Sequence, residues 1–286
     1  MQDANRTQLA RVARTALRIA RRCMTRYACL KSRHDFTQPQ LMACLVLKIV
    51  TKTHSRGVCE LLTLSAPLRQ TLGLSKVPHW TTLQKFMARA DVPELVDQMI
   101  REVLVQTGWS ERPSDIAADS MGMPNGLASV HYQTRRWGQG TARQSIKVST
   151  AMICGALLPA ALVVDVGASA DMKQMPALME QIESRAKPRR LLTDAGYDAE
   201  WVHEVCREQW HAESYIPPVI RSGDGTIKTK WRAQMRKLPT VYGRRWHAES
   251  FFSAMKRTTL STLASRSPRV QLTEAAMKVL AYAIRR

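Results

Sequence analysis

Apolar residues recur at helical spacing through the first third of the chain and in short strand-like runs through its middle, which divides the sequence before any motif is considered. Leu9, Val12, Ala13, Leu17, Ala20 and Met24 form one stripe, and Arg11, Arg14, Arg18, Arg21 and Arg22 form another on the opposite side of the same helix. Thr37, a proline in the first turn and Gln40 at the capping-box position start a second helix over the apolar run Leu41 to Val50. A third is expected over Gly57 to Leu64. The capping box repeats at Thr81-Thr-Leu-Gln84, after the turn-like Val77-Pro-His-Trp80, so another helix is expected just ahead of Phe86 and Met87. Leu95 to Gln106 reads as an amphipathic connecting helix. Residues 1–90 are therefore expected to form a small all-α domain of helix-turn-helix type, and 91–114 a connecting helix and linker.

Beyond it the period changes. Asp115-Ile-Ala-Ala-Asp-Ser120 is too short for a helix and runs toward the polar turn Pro124-Asn-Gly126, which makes it a strand. Ser145 to Ile153 and Leu157 to Val166 flank Cys154-Gly-Ala156 as an antiparallel hairpin. Asp171 to Arg185 has helical spacing, Arg190 to Thr193 is a short strand running into Asp194-Ala-Gly-Tyr-Asp198, and Trp201 to Trp210 is helical. Ala212 to Ile216 adds a strand. Strand, hairpin, helix, strand, helix is the order of an α/β domain with a mixed sheet and flanking helices.

Composition supplies the partner. The formal net charge is +20 and the isoelectric point about 10.3, which points to a polyanion. No run approaches the roughly 18 apolar residues of a spanning helix, so no membrane role is expected and the chain is read as cytoplasmic. The six cysteines include no CxxC pair, which argues against zinc fingers and for small buried hydrophobes in a reducing compartment. His131, Tyr132, Arg135, Arg136, Trp137 and Arg143 form a basic, aromatic loop that either holds phosphates and stacks a base or is simply solvated. Thr82 and Lys85, near the start of their helix, suit a major groove, although a purely packing helical domain fits the same pattern. Residues 222–240 are basic and without clear periodicity.

The most specific feature lies near the C-terminus. From Pro217 onward fifteen Lys or Arg face three acids, Asp224, Glu249 and Glu274. Tyr242, Arg245, Glu249 and Lys256 follow one another at offsets of 3, 4 and 7, which on a helix places them on one face. A lone carboxylate among cations is explained by a metal. This Y-(2)-R-(3)-E-(6)-K spacing resembles the signature of DDE transposases of bacterial insertion sequences, in the group uniting the families numbered four and five, and the likeness extends from about Asp115 to the end.

The resemblance implies an RNase H-like catalytic domain over 115–286, with a short basic insertion at 222–240. It makes Asp119, before Ser120, Asp194, before Ala-Gly-Tyr197, and Glu249 the catalytic and metal-holding carboxylates for two Mg²⁺ or Mn²⁺ ions. It also makes Tyr242, Arg245, Lys256 and Lys147 contacts to DNA. The implied activity is binding of terminal inverted repeats and metal-dependent strand cleavage and transfer on double-stranded DNA. A homodimer in a synaptic complex and a bacterial or archaeal, nucleoid-associated location are implied too. Asp115, on the same face of its strand, rivals Asp119; Asp198 is expected to cap the helix that follows it; Asp165 and Asp171 look like turn or capping residues. His247 makes an H-x-E pair of the kind zinc deaminases use, but no Pro-Cys-x-x-Cys accompanies it. A metal-dependent nuclease, an inactive DNA-binding regulator and a basic RNA-binding protein are the other readings.

Overall fold

The structure, a computed structural model, describes residues 7–29, 31, 33–125, 145–167, 169–259 and 261–286. Arg135, Arg136 and Trp137 of the basic loop lie outside them. Six helices come first: α1 (Gln8–Cys23), α2 (Gln38–Val50), α3 (Ser55–Leu64), α4 (Ala66–Leu72), α5 (Trp80–Met87) and α6 (Val92–Thr107). The arginine stripe of α1 is exposed, while Ala10, Val12, Ala13, Ala16, Leu17, Ile19 and Ala20 are buried against neighbouring helices. Thr37 and Gln40 close the capping box of α2 from both sides, with the Thr37 amide donating to Gln40 Oε1 at 2.9 Å.

Helix α5 starts one residue ahead of the expected capping box. His79 caps it: its Nδ1 accepts the Thr81 amide at 3.4 Å and pairs with the Thr81 hydroxyl at 2.7 Å, which removes that hydroxyl from capping duty. Helix α4 was not foreseen. Ser65 caps it by accepting the Leu68 amide at 3.4 Å, and it ends at Gly73, whose φ of 62° is the left-handed conformation that a helix C-terminus favours glycine for.

The sheet is built from β1 (Pro113–Met123), β2 (Ile146–Ile153), β3 (Leu158–Val166), β4 (Lys187–Thr193) and β5 (Glu213–Tyr215), in the order β3-β2-β1-β4-β5. β2 and β3 pair antiparallel, as the hairpin predicts, whereas β4 runs parallel to both β1 and β5. Every residue of β2 is buried, as an inner strand covered on both faces requires. Helix α7 (Met175–Arg185), entered through a 3₁₀ turn at Asp171–Gln174, packs on β2, β3 and β4. Helix α8 (Glu200–Glu204) runs on into a single π turn, and α9 (Lys230–Gln234), α10 (Trp246–Thr259) and α11 (Pro268–Arg285) complete the chain. The mixed α/β fold preceded by an all-helical region agrees with expectation.

Two compact units result, and neither is continuous in sequence. One comprises 1–103, 123–144 and 255–286; the other comprises 104–122 and 145–254. Within the first, α11 packs against α1, α2 and α5. Both α2 and α11 are buried nearly all round, so they form the centre of the helical unit.

Asp198 does not cap α8 as expected. The cap position is Ala199, without a side-chain bond, and Asp198 turns inward to a better partner. Its two carboxylate oxygens accept Arg232 Nε and Nη2, both at 2.7 Å, and Oδ2 also accepts the Val219 amide at 2.7 Å. A bidentate guanidinium outcompetes a backbone amide for a carboxylate. Glu200 adds a second tie by accepting the amides of Trp231 and Arg232 at 2.7 and 3.1 Å, at the start of α9. The segment 222–240 is thus anchored through a short helix that its sequence did not announce.

Cys44, Cys154 and Cys206 are buried, Cys23 and Cys59 half-buried and Cys29 exposed, all as free thiols. Among the described residues no helix is long and apolar enough to cross a membrane.

Candidate active site

Strands β1 and β4 lie side by side and parallel, with Ala118 in register with Thr193. The next residue on each is an aspartate. Register therefore delivers Asp119 and Asp194 together where β4 ends and β1 runs on past it, about one strand spacing apart. Asp194 ends β4 and accepts the Gly196 amide at 2.9 Å, while Asp119 accepts the amide of Ser120 at 2.7 Å. Burial pushes the pKa of Asp119 up, and the charges of Asp194 and Asp171 add to the rise against the opposing pull of the Ser120 amide and Arg245.

The residues beside the two aspartates act as their mounts. The hydroxyl of Ser120 lies 2.8 Å from both Ser149 Oγ and the hydroxyl of Tyr197. Tyr197 is fully buried, so the Asp-Ser and Gly-Tyr pairs are tied to one another and to β2. Tyr242 donates its hydroxyl to the Thr193 carbonyl at 3.1 Å, which pins the approach to α10 against the end of β4.

Glu249 sits in the first turn of α10 and is exposed. Arg245 stands between it and Asp119: Nη2 donates to Glu249 Oε1 at 2.7 Å and Nη1 lies 3.9 Å from Asp119 Oδ2. The expected single helical face is modified here, because Thr240–Arg245 is a 3₁₀ turn following Pro239 and the α-helix begins only at Trp246. Tyr242 and Arg245 thereby reach back to the sheet. Lys256 is exposed on α10, as is Lys85 on α5, and Thr82 is half-buried.

Lys147 and Asp171 depart from expectation. Lys147 belongs to an inner strand and is buried; its ammonium is 2.6 Å from Asp171 Oδ1 and also donates to the Ser169 carbonyl. Asp171, expected to be a turn or capping residue, aims its carboxylate at the same place as Asp194. A Cβ built on Gly196 would stand 3.0 Å from Asp194 Oδ1 and 3.1 Å from Asp171 Oδ2. Glycine at this position therefore lets both carboxylates close on the turn without a side chain between them. The sequence signal was the pairing of Lys147 with an acid after the hairpin, which only the fold brings within reach. Gly196→Ala is expected to force the two carboxylates apart and slow catalysis roughly 10²-fold. Cleavage rates beside thermal melting would separate this from loss of fold.

Asp115 is excluded as a substitute for Asp119. Its side chain has no exposed surface and pairs with Arg189 at 2.9 Å, Arg190 at 3.3 Å and Arg244. Burial alone would raise its pKa, but the three guanidinium groups outweigh it and hold the carboxyl below the usual range. Three arginines from β4 and the 3₁₀ turn thus meet on one acid beneath the site. His247 donates to or accepts nothing at the carboxylates; its Nδ1 is bonded to the Arg244 carbonyl at 2.7 Å and its ring stacks on Trp246.

Among the described residues no three acid, histidine or cysteine side chains converge as a ready metal cage. Arg245 places one positive charge between Asp119 and Glu249. Asp119 within β1 and Asp194 just past the end of β4 thus stand side by side, with Glu249 in the first turn of α10. Residues 110–284 match the family model described as Transposase DDE domain. The chain belongs to that family, whose members act on DNA and generally depend on divalent metal. A comparison with curated proteins finds no match.

Proposed function

We propose that this transposase binds the terminal inverted repeats of its element and catalyses metal-dependent cleavage of a strand end and its transfer to target DNA. The observation that carries the reading is the register of β1 and β4, which sets Asp119 beside Asp194, with Arg245 between Asp119 and Glu249. Asp119, Asp194 and Glu249 would hold Mg²⁺ or Mn²⁺, and the placing of Asp119 beside Asp194, where the neighbouring charge adds to the rise in the Asp119 pKa, supports that fit. When bound, two such ions supply activation of the attacking oxygen and neutralisation of charge at the leaving oxygen.

The residues of the chain do the positioning. Arg245, released from Glu249, can grip two oxygens of a phosphate, Lys256 adds a point charge, and Tyr242 keeps the helix aligned with the sheet. The helices of residues 1–90 bind the repeats, with Thr82 and Lys85 of α5 at the groove, while 115–286 perform the chemistry. Holding two ends at once calls for a homodimer in a synaptic complex.

The test is strand cleavage and joining on a duplex carrying the repeats that flank the gene, with Mg²⁺ or EDTA, for wild type and Glu249→Gln. Joined product that disappears with EDTA and in the variant is the expected result. Cutting without joining would replace the reading with a nuclease, and binding without cutting would replace it with a DNA-binding regulator.

A further inference from the structure

On the helical unit, α2, the start of α3, the end of α5 and the segment 264–270 enclose an opening of about 520 Å³. Lys48 lines it, 92 % buried by its residual exposure of 8 %. Among the described residues its ammonium makes one hydrogen bond, to the thioether of Met87 at 3.7 Å, and a thioether is a weak acceptor. The other buried charges nearby are already engaged. Glu274 accepts the amides of Ala264 and Ser265 at 3.0 and 2.8 Å, and Lys278 donates to the carbonyls of Thr259 and Thr262 at 2.8 and 2.9 Å.

Two lysines and one glutamate leave this buried group with an excess positive charge. Burial lowers the pKa of Lys48, and only the charge of Glu274 opposes that. Keeping an ammonium out of water without an ion pair is costly, so an external anion would relieve it. The rest of the lining agrees: Arg266, His54, Ser55, Ser265 and Ser267 surround the opening, and among the described residues no acid lines it. The N-terminal end of α3, a helix of ten residues, adds the positive end of its dipole at His54 and Ser55.

We infer that this opening is a socket for one phosphodiester group of duplex DNA, with Lys48 at its floor and Arg266 at its rim. The inference rests on the reading of the chain as a DNA transposase and adds a contact on the helical unit. Gln84 lines the opening, and the next residue of α5, Lys85, is exposed. The socket fixes where the DNA backbone lies, and leaves sequence discrimination to other groups, because phosphates carry none.

Equilibrium binding of the full chain to a repeat-bearing duplex and to an unrelated duplex, across a range of salt, tests it in wild type, Lys48→Met and Arg266→Gln. Methionine keeps the length of Lys48 without its charge and suits its buried position. Each variant should weaken binding to both duplexes by the same factor and reduce the slope of log affinity against log salt by about one. Arg266→Gln, at an exposed position, carries the test if Lys48→Met does not fold. Unchanged slopes in the folded variants overturn the inference. If inorganic phosphate raises the melting temperature of wild type but not of Lys48→Met, and the DNA slope is unchanged, the socket takes free phosphate and the DNA assignment is overturned. Wild type that binds no duplex in a salt-dependent way overturns the transposase reading beneath it instead.

Discussion

Asp119→Asn is expected to slow strand cleavage by about 10³-fold or more, roughly 4 kcal/mol of transition-state stabilisation, while the protein melts no earlier than wild type. The two halves of that outcome have one cause. Asp119 is half-buried beside Asp194 and within the field of Asp171, and partial burial with these two charges raises its pKa. An amide of the same shape removes the repulsion and keeps the place of Oδ1, which accepts the Ser120 amide. It also removes the charge that a divalent ion requires. Loss of activity at unchanged or higher stability is the pattern of a residue kept for chemistry and not for folding. The measurement is cleavage of the repeat-bearing duplex beside a thermal melt. A variant that loses both together would mark Asp119 as structural and sink the assignment. Asp115→Asn gives the contrast, since it leaves three arginines around an uncharged group and should lose stability.

Asp198→Asn is expected to destabilise the sheet-containing unit by about 3 to 5 kcal/mol, because Arg232 would keep its charge in a buried place with its partner neutralised. Arg232 is 8 % exposed and gives two 2.7 Å bonds to Asp198, and a third at 2.8 Å to the Val219 carbonyl. Replacing both residues together, as Asp198→Leu with Arg232→Met, should recover much of the loss, since no unpaired charge remains. The dependence on pH has a definite sign. Burial raises the Asp198 pKa, but the Arg232 bonds, the Val219 amide and Arg221 outweigh it, so the folded value lies below the ordinary 3.8. Its contribution is complete above that ordinary value and disappears as pH falls through the folded one. Urea unfolding of wild type and Asp198→Asn should therefore differ most near neutrality and converge in acid. A difference that does not change with pH would mean that the pair is not what holds the segment.

Asp119, Asp194 and Glu249 were legible as candidates because the Asp-Ser, Asp-Ala-Gly-Tyr and Tyr-Arg-Glu-Lys spacings are local, and each sits where a strand end or helix start is also readable. The roles of Asp171 and Asp198 were not legible. Both precede helical segments and carry a short carboxylate, which is what a capping residue looks like. Their partners, Lys147 and Arg232, lie 24 and 34 residues away and meet them only across the fold. Lys147 misled for a similar reason, since on its own it could be a surface cation on a strand, yet β2 is an inner strand. The capping box at Thr81 failed through a competitor two residues upstream, the imidazole of His79.

Periodicity and composition by themselves determined the helical start of the chain, the hairpin, the α/β order of the middle and the strongly basic charge, while the resemblance to DDE transposases supplied the three candidate acids. These depend on residues within a few turns of one another, where apolar stripes, caps and turn chemistry act directly. Only the tertiary structure decided that β4 lies parallel beside β1, that Arg245 stands between Glu249 and Asp119, that Asp171 shares the space over Gly196, and that the last helix packs into the helical unit. Those choices turn on strand register, charge pairing and burial between distant segments, whose energies exist only once the chain has closed on itself.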